Sequence, residues 1–355
     1  MTRRILGMAA AAIFTACGGD GRQGANAPQT SRGVALTGAG ATFPYPLYSK
    51  WFANYANQTG VRINYQPIGS GGGIRQITEG TVDFGASDGP MTDEQLARAK
   101  YGRILHFPSV LGAVVVTYNL PNVSGPLKLT SPVIADIFLG KIKKWNDPRI
   151  AQLNPGGSLP ATDLIVVHRS DGSGTTYVFT DYLSAVSPNW ARSVGRGTEV
   201  GWPTGLGAKG NEGVSSQVKQ TPGAIGYVEL AYAKQNRLAY ASIRNPVGNF
   251  VLPSIQSVTA AAASAASKLG LTTDYRVSIV NAPGAQAYPI SSFTWLLVYH
   301  RHPDPAKGRT LADFLRWAYT TGQQSAPSLD YAPLPPELAD RLRQRVDSLQ
   351  VGATT

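Results

Sequence analysis

The chain has little of what covalent and metal chemistry needs: one cysteine and four histidines among 355 residues. One cysteine excludes a disulfide framework, and so few thiol and imidazole groups leave little for a transition-metal site. Charged residues make up 15% of the chain and hydrophobic residues 43%, which excludes both a disordered chain and a coiled coil. We therefore expect a globular protein that holds no metal and no cofactor.

Long hydrophobic runs are also missing after the N-terminus. The most apolar later segment, Val110 to Tyr118, is too short for a membrane span and is typical of a buried strand. The length suits two domains better than one. With 39 glycines and 25 prolines the chain has many tight turns, which favours short strands and helices over a helical bundle.

The N-terminus has the pattern of an export signal. Residues 1–4 are basic, residues 5–15 are apolar, and the sequence FTAC ends at Cys17. This ending resembles a bacterial lipobox, in which the cysteine is lipidated and becomes the mature N-terminus, although a phenylalanine stands where the pattern prefers leucine. Ordinary cleavage that leaves Cys17 lost or free is the alternative. Residues 18–32 have the composition of a flexible tether, so residues 1–33 are assigned to signal and tether.

The net charge is +11, and removal of Arg3 and Arg4 with the signal leaves +9. A basic balance favours an anionic partner, which can be nucleic acid, an anionic membrane surface or a small anion. The one tight basic cluster, residues 141–144 ahead of Trp145, is typical of a solvated helix end. We therefore expect no nucleic-acid partner.

Strand, glycine-rich turn and helix alternate along the chain, which predicts α/β architecture with a largely parallel sheet. The predicted strands are 34–36, 61–65, 82–88, 110–118, 164–167, 224–228 and 293–299. The predicted helices are 47–55, 74–77, 93–99, 134–138, one from residue 177, 214–219, 257–268, 311–318 and 338–349. Thr92 and Gln95 have the spacing of a capping box at the start of the third helix.

Four loops between a strand and a helix are rich in small and hydroxyl residues: Ala41 to Phe43, Gly69 to Gly71, Ser87 to Asp88 and Ser173 to Thr175. In such loops free N–H groups and the positive end of the helix dipole point to one place, which suits an oxyanion. One loop alone is explained by the needs of a tight turn. Four of them, with Arg169 close by, favour an anion site.

Better-known glycine motifs are incomplete. Residues 38–43 and 69–74 lack the third glycine of a dinucleotide fingerprint, and residues 205–211 lack the lysine of a P-loop. Neither Ser70 nor Ser173 stands in the Gly-x-Ser-x-Gly of a hydrolase nucleophile elbow. These patterns argue against nucleotide binding and against serine-dependent hydrolysis.

Five motifs resemble those of the periplasmic phosphate-binding proteins of bacterial phosphate ABC transporters. In order they are TGAGATFP (37–44), GSGGG (69–73), DFGASD (83–88), DGSGT (171–175) and PGAIGYVE (222–229). The resemblance runs from about Val34 to about Tyr331. It implies a type II periplasmic-binding-protein fold, with two α/β lobes joined by hinge strands and a ligand cleft between them. Lobe 1 would comprise residues 34–115 and 288–355, and lobe 2 residues 116–287.

The resemblance also implies a set of phosphate-binding groups. It assigns hydroxyl or backbone N–H donors to Thr42, Phe43, Ser70, Ser173, Gly174 and Thr175, a carboxylate to Asp88 and a guanidinium to Arg169. Asp171 would hold that guanidinium in place.

Asp88 is the unexpected member, because a carboxylate faces an anion. Phosphate near neutral pH keeps at least one proton that a carboxylate can accept, whereas fully ionised sulfate would meet charge repulsion and an acceptor without a donor. The alternative is a carboxylate that caps a turn.

These residues predict a binding protein rather than an enzyme: capture of inorganic phosphate and delivery to an inner-membrane ABC permease with its ATPase subunits. We expect a monomer in the periplasm, anchored to a membrane through lipid on Cys17. One alternative is a phosphoester hydrolase that uses the same oxyanion site, but it would need a metal cluster or an activated nucleophile near Ser173. Another keeps the fold and binds sulfate or molybdate, or serves surface attachment.

Overall fold

The computed structural model describes residues 34–121, 123, 125–264, 269 and 273–351. The predicted signal and tether with Cys17, and the end of the helix predicted over 257–268, lie outside the described residues. None of the helices in the described part of the chain has the length and apolar character that a membrane span requires.

Each predicted strand has a counterpart among the strands of the described residues. They are β1 (Ala35–Gly40), β2 (Arg62–Gln66), β3 (Phe84–Ser87), β4 (Ile104–Tyr118), β5 (Lys128–Leu129), β6 (Ile165–Arg169), β7 (Leu206–Ala208), β8 (Ala224–Glu229), β9 (Ala239–Tyr240), β10 (Ser242–Arg244), β11 (Phe250–Val251) and β12 (Ser291–Tyr299). Those that the sequence did not predict have two or three residues, too few for a periodic pattern.

The predicted helices are likewise present, with shifted ends. The helices of the described residues are α1 (Tyr45–Thr59), α2 (Ser70–Glu79), α3 (Asp93–Ala97), α4 (Ser131–Phe138), α5 (Pro148–Ala151), α6 (Gly174–Val186), α7 (Pro188–Ser193), α8 (Gly210–Gln220), α9 (Leu230–Gln235), α10 (Ile255–Ala263), α11 (Pro305–Ala318) and α12 (Pro336–Val346). A 3-10 helix spans Gly322–Leu329. The predicted capping box is confirmed, because Thr92 accepts from the Gln95 N–H and Gln95 accepts from the Thr92 N–H.

Helix α1 illustrates how sequence fixes a local element. Proline stands in its first turn, where no N–H partner is needed, and Gly60 ends it in the left-handed region with φ 77°. Five residues on one face are buried: Leu47, Tyr48, Trp51, Phe52 and Tyr55. Their spacing is that of a helix that packs one side against the core. This packing holds β1 and the loop after it in place.

The main sheet has the order β2-β1-β3-β12-β4-β8-β6-β7, and β9 pairs with β4. Strands β1, β2 and β3 are parallel to one another, as are β6, β7 and β8. Strand β12 runs antiparallel to β3 and β4, and β4 also runs antiparallel to β8. The expectation of a largely parallel sheet is therefore correct for both ends and wrong for the centre, because β12 runs back alongside β4.

Strand β4 connects the two parallel parts. Residues 104–113 pair with β12, and residues 114–118 pair with β8. All 15 residues of β4 are buried, which confirms the buried strand that the apolar run predicts. Because the partner changes between Ala113 and Val114, β4 belongs to both parts of the sheet.

Candidate functional site

The predicted site residues lie where strands of the sheet end and helices begin. Thr42 and Phe43 follow β1, and Asp88 follows β3. Arg169 is the last residue of β6, and Ser70 is the first of α2. Carboxyl ends of parallel strands and helix N-termini direct N–H groups and the positive end of the helix dipole to one region, which is a common location for anions.

One cluster joins Ser70 and Asp88 to the start of α6. The Ser70 hydroxyl accepts a hydrogen bond from the Asp88 N–H at 3.2 Å and approaches Asp88 Oδ2 at 3.5 Å. Gly174 lies directly against this pair: a Cβ on Gly174 would be 2.5 Å from Asp88 Oδ2 and would also collide with Ser70 Oγ. Only glycine at this position permits α6 to approach Ser70 and Asp88 so closely.

The Asp88 carboxyl is fully buried. Its Oδ1 accepts a hydrogen bond from the Thr294 hydroxyl at 2.7 Å. Burial raises the pKa of Asp88 to about 7, against the opposing effects of the Thr294 hydrogen bond, the Arg169 charge and the Ser70 hydrogen bond. The group can therefore accept or hold a proton near neutral pH.

Arg169 is buried, with 3% of its surface exposed, and one edge of its guanidinium group is paired with Asp171. Its Nε donates to Asp171 Oδ1 at 2.7 Å, and its Nη2 donates to Asp171 Oδ2 at 2.5 Å. Burial by itself would raise the pKa of Asp171, but the hydrogen bonds and charge of Arg169 outweigh it and lower that pKa. The Gly210 N–H donates to Asp171 Oδ1 at 3.0 Å, so the carboxylate is fixed as well.

The hydroxyls of Thr42 and Thr175 meet at the side chain of Asn211. Asn211 Nδ2 donates to Thr42 Oγ1 at 2.8 Å and to Thr175 Oγ1 at 3.1 Å. Arg169 Nη1 donates to the same Thr175 oxygen at 3.4 Å. Thr42 precedes β4 in the chain, whereas Arg169, Thr175 and Asn211 follow it, so the bond between Asn211 and Thr42 crosses between the two parts of the sheet.

Ser173 and Phe43 adjoin these clusters through the main chain. The Ser173 hydroxyl caps α6 by accepting from the Thr176 N–H at 3.0 Å, and its own proton remains available to a ligand. The Phe43 carbonyl accepts from the Tyr331 hydroxyl at 2.6 Å, which fixes the loop that carries Thr42.

The structure thus brings seven of the eight predicted binding residues and Asp171 together around the start of α6, and the eighth, Phe43, follows Thr42 in the chain. Sequence reasoning missed Asn211 and Thr294. Asn211 is the second residue of α8, which follows the three-residue strand β7, a strand too short to be predicted from the sequence. Thr294 lies within a continuous apolar strand and has no local signal.

A cleft of about 700 Å³ opens beside Asp88. Its walls include Tyr177 of α6, Trp295 of β12 and the loop residues Arg196, Glu199 and Arg276. Among the residues that the structure describes, no three His, Cys, Asp or Glu side chains form a group that could hold a metal ion.

Comparison with known proteins identifies the family. The family model described as "PBP superfamily domain" matches residues 25–321. The phosphate-binding protein PstS of Pasteurella multocida (strain Pm70) is 50% identical over 317 residues, which cover 88% of this chain and 90% of the relative. The chain belongs to the PstS family of the PBP superfamily. The PstS protein of Xylella fastidiosa (strain 9a5c) is 49% identical over 315 residues, with 88% and 85% of the two chains covered.

Solved structures have the same fold at lower identity. A high affinity periplasmic phosphate-binding protein (PfluDING) bound with phosphate superimposes with a TM-score of 0.72 at 22% identity, covering 88% of this chain and 93% of the other. The predicted two-lobed α/β fold of type II binding proteins is confirmed by this likeness and by the family match.

Proposed function

We propose that this chain is the substrate-binding component of a phosphate ABC importer, which captures inorganic phosphate between its two lobes and delivers it to an inner-membrane permease. The observation that carries the proposal is the meeting of Ser70, Asp88, Arg169 and Thr175 around Gly174. It combines one cation, several hydroxyl donors and one titratable carboxyl, which is the chemistry that a protonated oxyanion needs. Relatives that are named phosphate-binding proteins support it.

The phosphate site that we propose comprises Thr42, Phe43, Ser70, Asp88, Arg169, Ser173, Gly174 and Thr175. Arg169 supplies positive charge through its Nη1 edge, since Asp171 occupies the opposite edge. The Thr42, Ser173 and Thr175 hydroxyls and the N–H groups at the start of α6 supply neutral donors. Asp88 supplies an acceptor for a phosphate proton. The chain thus binds phosphate and does not transform it.

We propose that the two lobes have the bounds that the sequence predicts. Lobe 1 comprises residues 34–115 and 288–355, and lobe 2 comprises residues 116–287. Support comes from β4, which changes partner from β12 to β8 between Ala113 and Val114, close to the proposed boundary. The Gly71 N–H donates to the Gly172 carbonyl at 2.8 Å, a contact that joins the two proposed lobes at the site. Phosphate capture by hinge closure follows from this division.

The chain acts in the periplasm, the compartment that its N-terminal export signal and its membership of the PBP superfamily indicate. We further propose that lipid on Cys17 anchors it to a membrane, that it is a monomer, and that the permease it serves carries ATPase subunits. Cys17 lies outside the described residues, and its lipidation rests on the lipobox-like ending of the export signal.

Calorimetric titration of the phosphate-stripped protein with phosphate, sulfate and arsenate tests the binding function. We expect tight binding of phosphate, similar binding of arsenate and weak binding of sulfate. Equal binding of sulfate and phosphate would contradict a phosphate-specific site. Turnover of a generic phosphoester by the pure protein would instead favour the hydrolase alternative.

A further inference from the structure

Asn211, which no sequence motif singles out, makes three hydrogen bonds to hydroxyl groups of the proposed site. Its side chain is fully buried at the start of α8. The Nδ2 group donates to the hydroxyls of Thr42 and Thr175, as described above, and the Asn211 N–H donates to Thr42 Oγ1 at 3.3 Å. Both donors of the side-chain amide are therefore used on two hydroxyls of the proposed phosphate site.

The orientation of this amide is fixed by its other end. Asn211 Oδ1 accepts a hydrogen bond from the Glu229 N–H at 2.9 Å. A backbone N–H can only donate, so the amide oxygen must face Glu229 and the NH₂ group must face the two threonines. Gly210, with φ 70°, turns the chain into this position while its N–H holds Asp171.

The two hydroxyls have their acceptor positions filled. A hydroxyl has one proton and two lone pairs. Thr42 Oγ1 accepts from Asn211 N and Nδ2, and Thr175 Oγ1 accepts from Asn211 Nδ2 and Arg169 Nη1. Since each oxygen already accepts two hydrogen bonds, its own proton must point to a further acceptor.

We propose that Asn211 is a positioning residue that makes the Thr42 and Thr175 hydroxyls donors to phosphate and joins the two lobes when they close. The inference rests on the proposed function, because phosphate is the acceptor to which both protons point. Thr42 belongs to lobe 1 and Thr175 to lobe 2, so one amide sets the direction of a donor from each side. The Asn211 amide therefore favours a ligand that accepts hydrogen bonds from both lobes at once.

Titration calorimetry of Asn211→Ala and Asn211→Asp with phosphate tests the proposal. We expect Asn211→Ala to weaken phosphate binding about tenfold or more, because two neutral donors lose their orientation. Asn211→Asp should weaken it further: a carboxylate accepts from both hydroxyls, turns their protons away from the ligand and repels the anion. Asn211→Ser is the second variant if Asn211→Ala does not fold.

Asn245 provides a matched control. It is also a buried asparagine, and its Nδ2 donates to the carbonyls of Gly284 and Ala285 at 3.2 and 2.9 Å, outside the proposed site. Asn245→Ala should lower the melting temperature and leave phosphate affinity unchanged. A loss of affinity of the same size in Asn245→Ala and Asn211→Ala would mean that general destabilisation explains both, and would overturn the proposal.

A double-mutant cycle separates positioning from structural support. Thr42→Val and Thr175→Val together keep the shape and remove both hydroxyls. In that background Asn211→Ala should change phosphate affinity less than about threefold, because the groups through which it acts are gone. An equal loss in both backgrounds would overturn the proposal. Absence of phosphate binding by the unmodified protein would defeat the proposed function itself, whereas wild-type binding by Asn211→Ala would defeat only the role of Asn211.

Discussion

Arg169 and Asp171 form a two-bond ion pair that leaves one edge of the guanidinium facing the site. The paired edge donates from Nε and Nη2 to Asp171, and the opposite edge presents Nη1, which donates to Thr175 Oγ1 at 3.4 Å. The carboxylate offsets part of the cation's charge, so the site attracts anions mainly through oriented dipoles and one directed N–H group. The net charge of the chain contributes to encounter rather than to selection.

The first prediction concerns Arg169. Charge-assisted hydrogen bonds contribute roughly 1.5–3 kcal/mol, so Arg169→Ala should weaken phosphate binding at least about tenfold. The loss is limited because neutral donors remain. Arg196→Ala is the control, since that arginine lines the cleft but its side chain is 57% exposed. Unchanged affinity in a folded Arg169→Ala variant would place the anion elsewhere.

The second prediction concerns Gly174 and closure. An added Cβ would lie 2.5 Å from Asp88 Oδ2 and 2.6 Å from Asp88 Cβ, across the cleft between the proposed lobes. We expect Gly174→Ala to fold normally, because opening the cleft relieves the collision, and to bind phosphate on the order of tenfold to a hundredfold more weakly. Small-angle scattering should show no compaction of this variant on addition of phosphate.

Gly213→Ala is the control for that experiment. Gly213 lies in α8 of the same proposed lobe, and a Cβ there would meet nothing closer than 3.5 Å. It should keep wild-type affinity and compaction. Compaction of Gly174→Ala to the wild-type radius of gyration would show that the collision does not resist closure.

The third prediction concerns Cys17. Mass spectrometry of membrane-extracted protein should find a diacylated or triacylated N-terminus that begins at Cys17, and Cys17→Ser should release the protein from the membrane fraction. An unlipidated N-terminus at another residue would remove the anchor and leave a periplasmic or secreted protein.

The fourth prediction concerns His106, whose Nε2 accepts from the Met91 N–H at 3.0 Å and whose Nδ1 bonds Asp274 at 2.7 Å. Burial lowers the pKa of His106 below its usual 6.5, although Asp274 opposes the shift. The unfolded chain therefore takes up a proton at higher pH than the folded chain does. The free energy of unfolding should fall below pH 6.5, by at most about 1.4 kcal/mol per pH unit from this group.

Urea denaturation of the wild type and His106→Gln between pH 4.5 and 7.5 checks this. Glutamine can still accept from the Met91 N–H but does not titrate, so the difference between the two proteins should shrink as the pH falls. Parallel curves over the whole range would show that His106 does not contribute to acid sensitivity.

Most of the proposed site lies in short motifs at strand-to-helix junctions, where the pattern indicates an anion site and the family resemblance assigns each group its role. Ser70, Asp88 and Ser173 could be chosen from the sequence for that reason. Asn211 could not, since its partner Thr42 is 169 residues away and the bond exists only after both parts of the sheet assemble.

The same limit explains the sheet. Apolar periodicity predicted β4 and β12 as strands, because each is buried along its whole length. Strand direction relative to a neighbour depends on how the chain returns to the sheet, which no local pattern records. The antiparallel centre, where Thr294 of β12 reaches Asp88 across 206 residues, was therefore beyond sequence reasoning.

The last prediction concerns Asp88 and the choice between phosphate and sulfate. Burial raises the pKa of Asp88 to about 7. Phosphate brings its own proton, which it can share with the carboxylate, whereas fully ionised sulfate can bind only when Asp88 itself is protonated. Sulfate affinity should therefore be nearly constant below pH 7 and should fall by up to about tenfold per pH unit above it.

Asp88→Asn should remove this dependence. The amide donates at every pH, so sulfate should bind the variant equally at pH 6 and pH 8.5, while the amide oxygen still accepts a phosphate proton. At pH 8.5 the ratio of sulfate to phosphate affinity should rise about tenfold or more, a part of the roughly 10⁴–10⁵-fold that an unpaired buried polar group can impose. Competition titrations at fixed ionic strength measure this ratio. If it is the same in wild type and Asp88→Asn, or if wild-type sulfate binding does not vary with pH, then Asp88 is not the residue that rejects sulfate, and selectivity must come from the donors around Gly174.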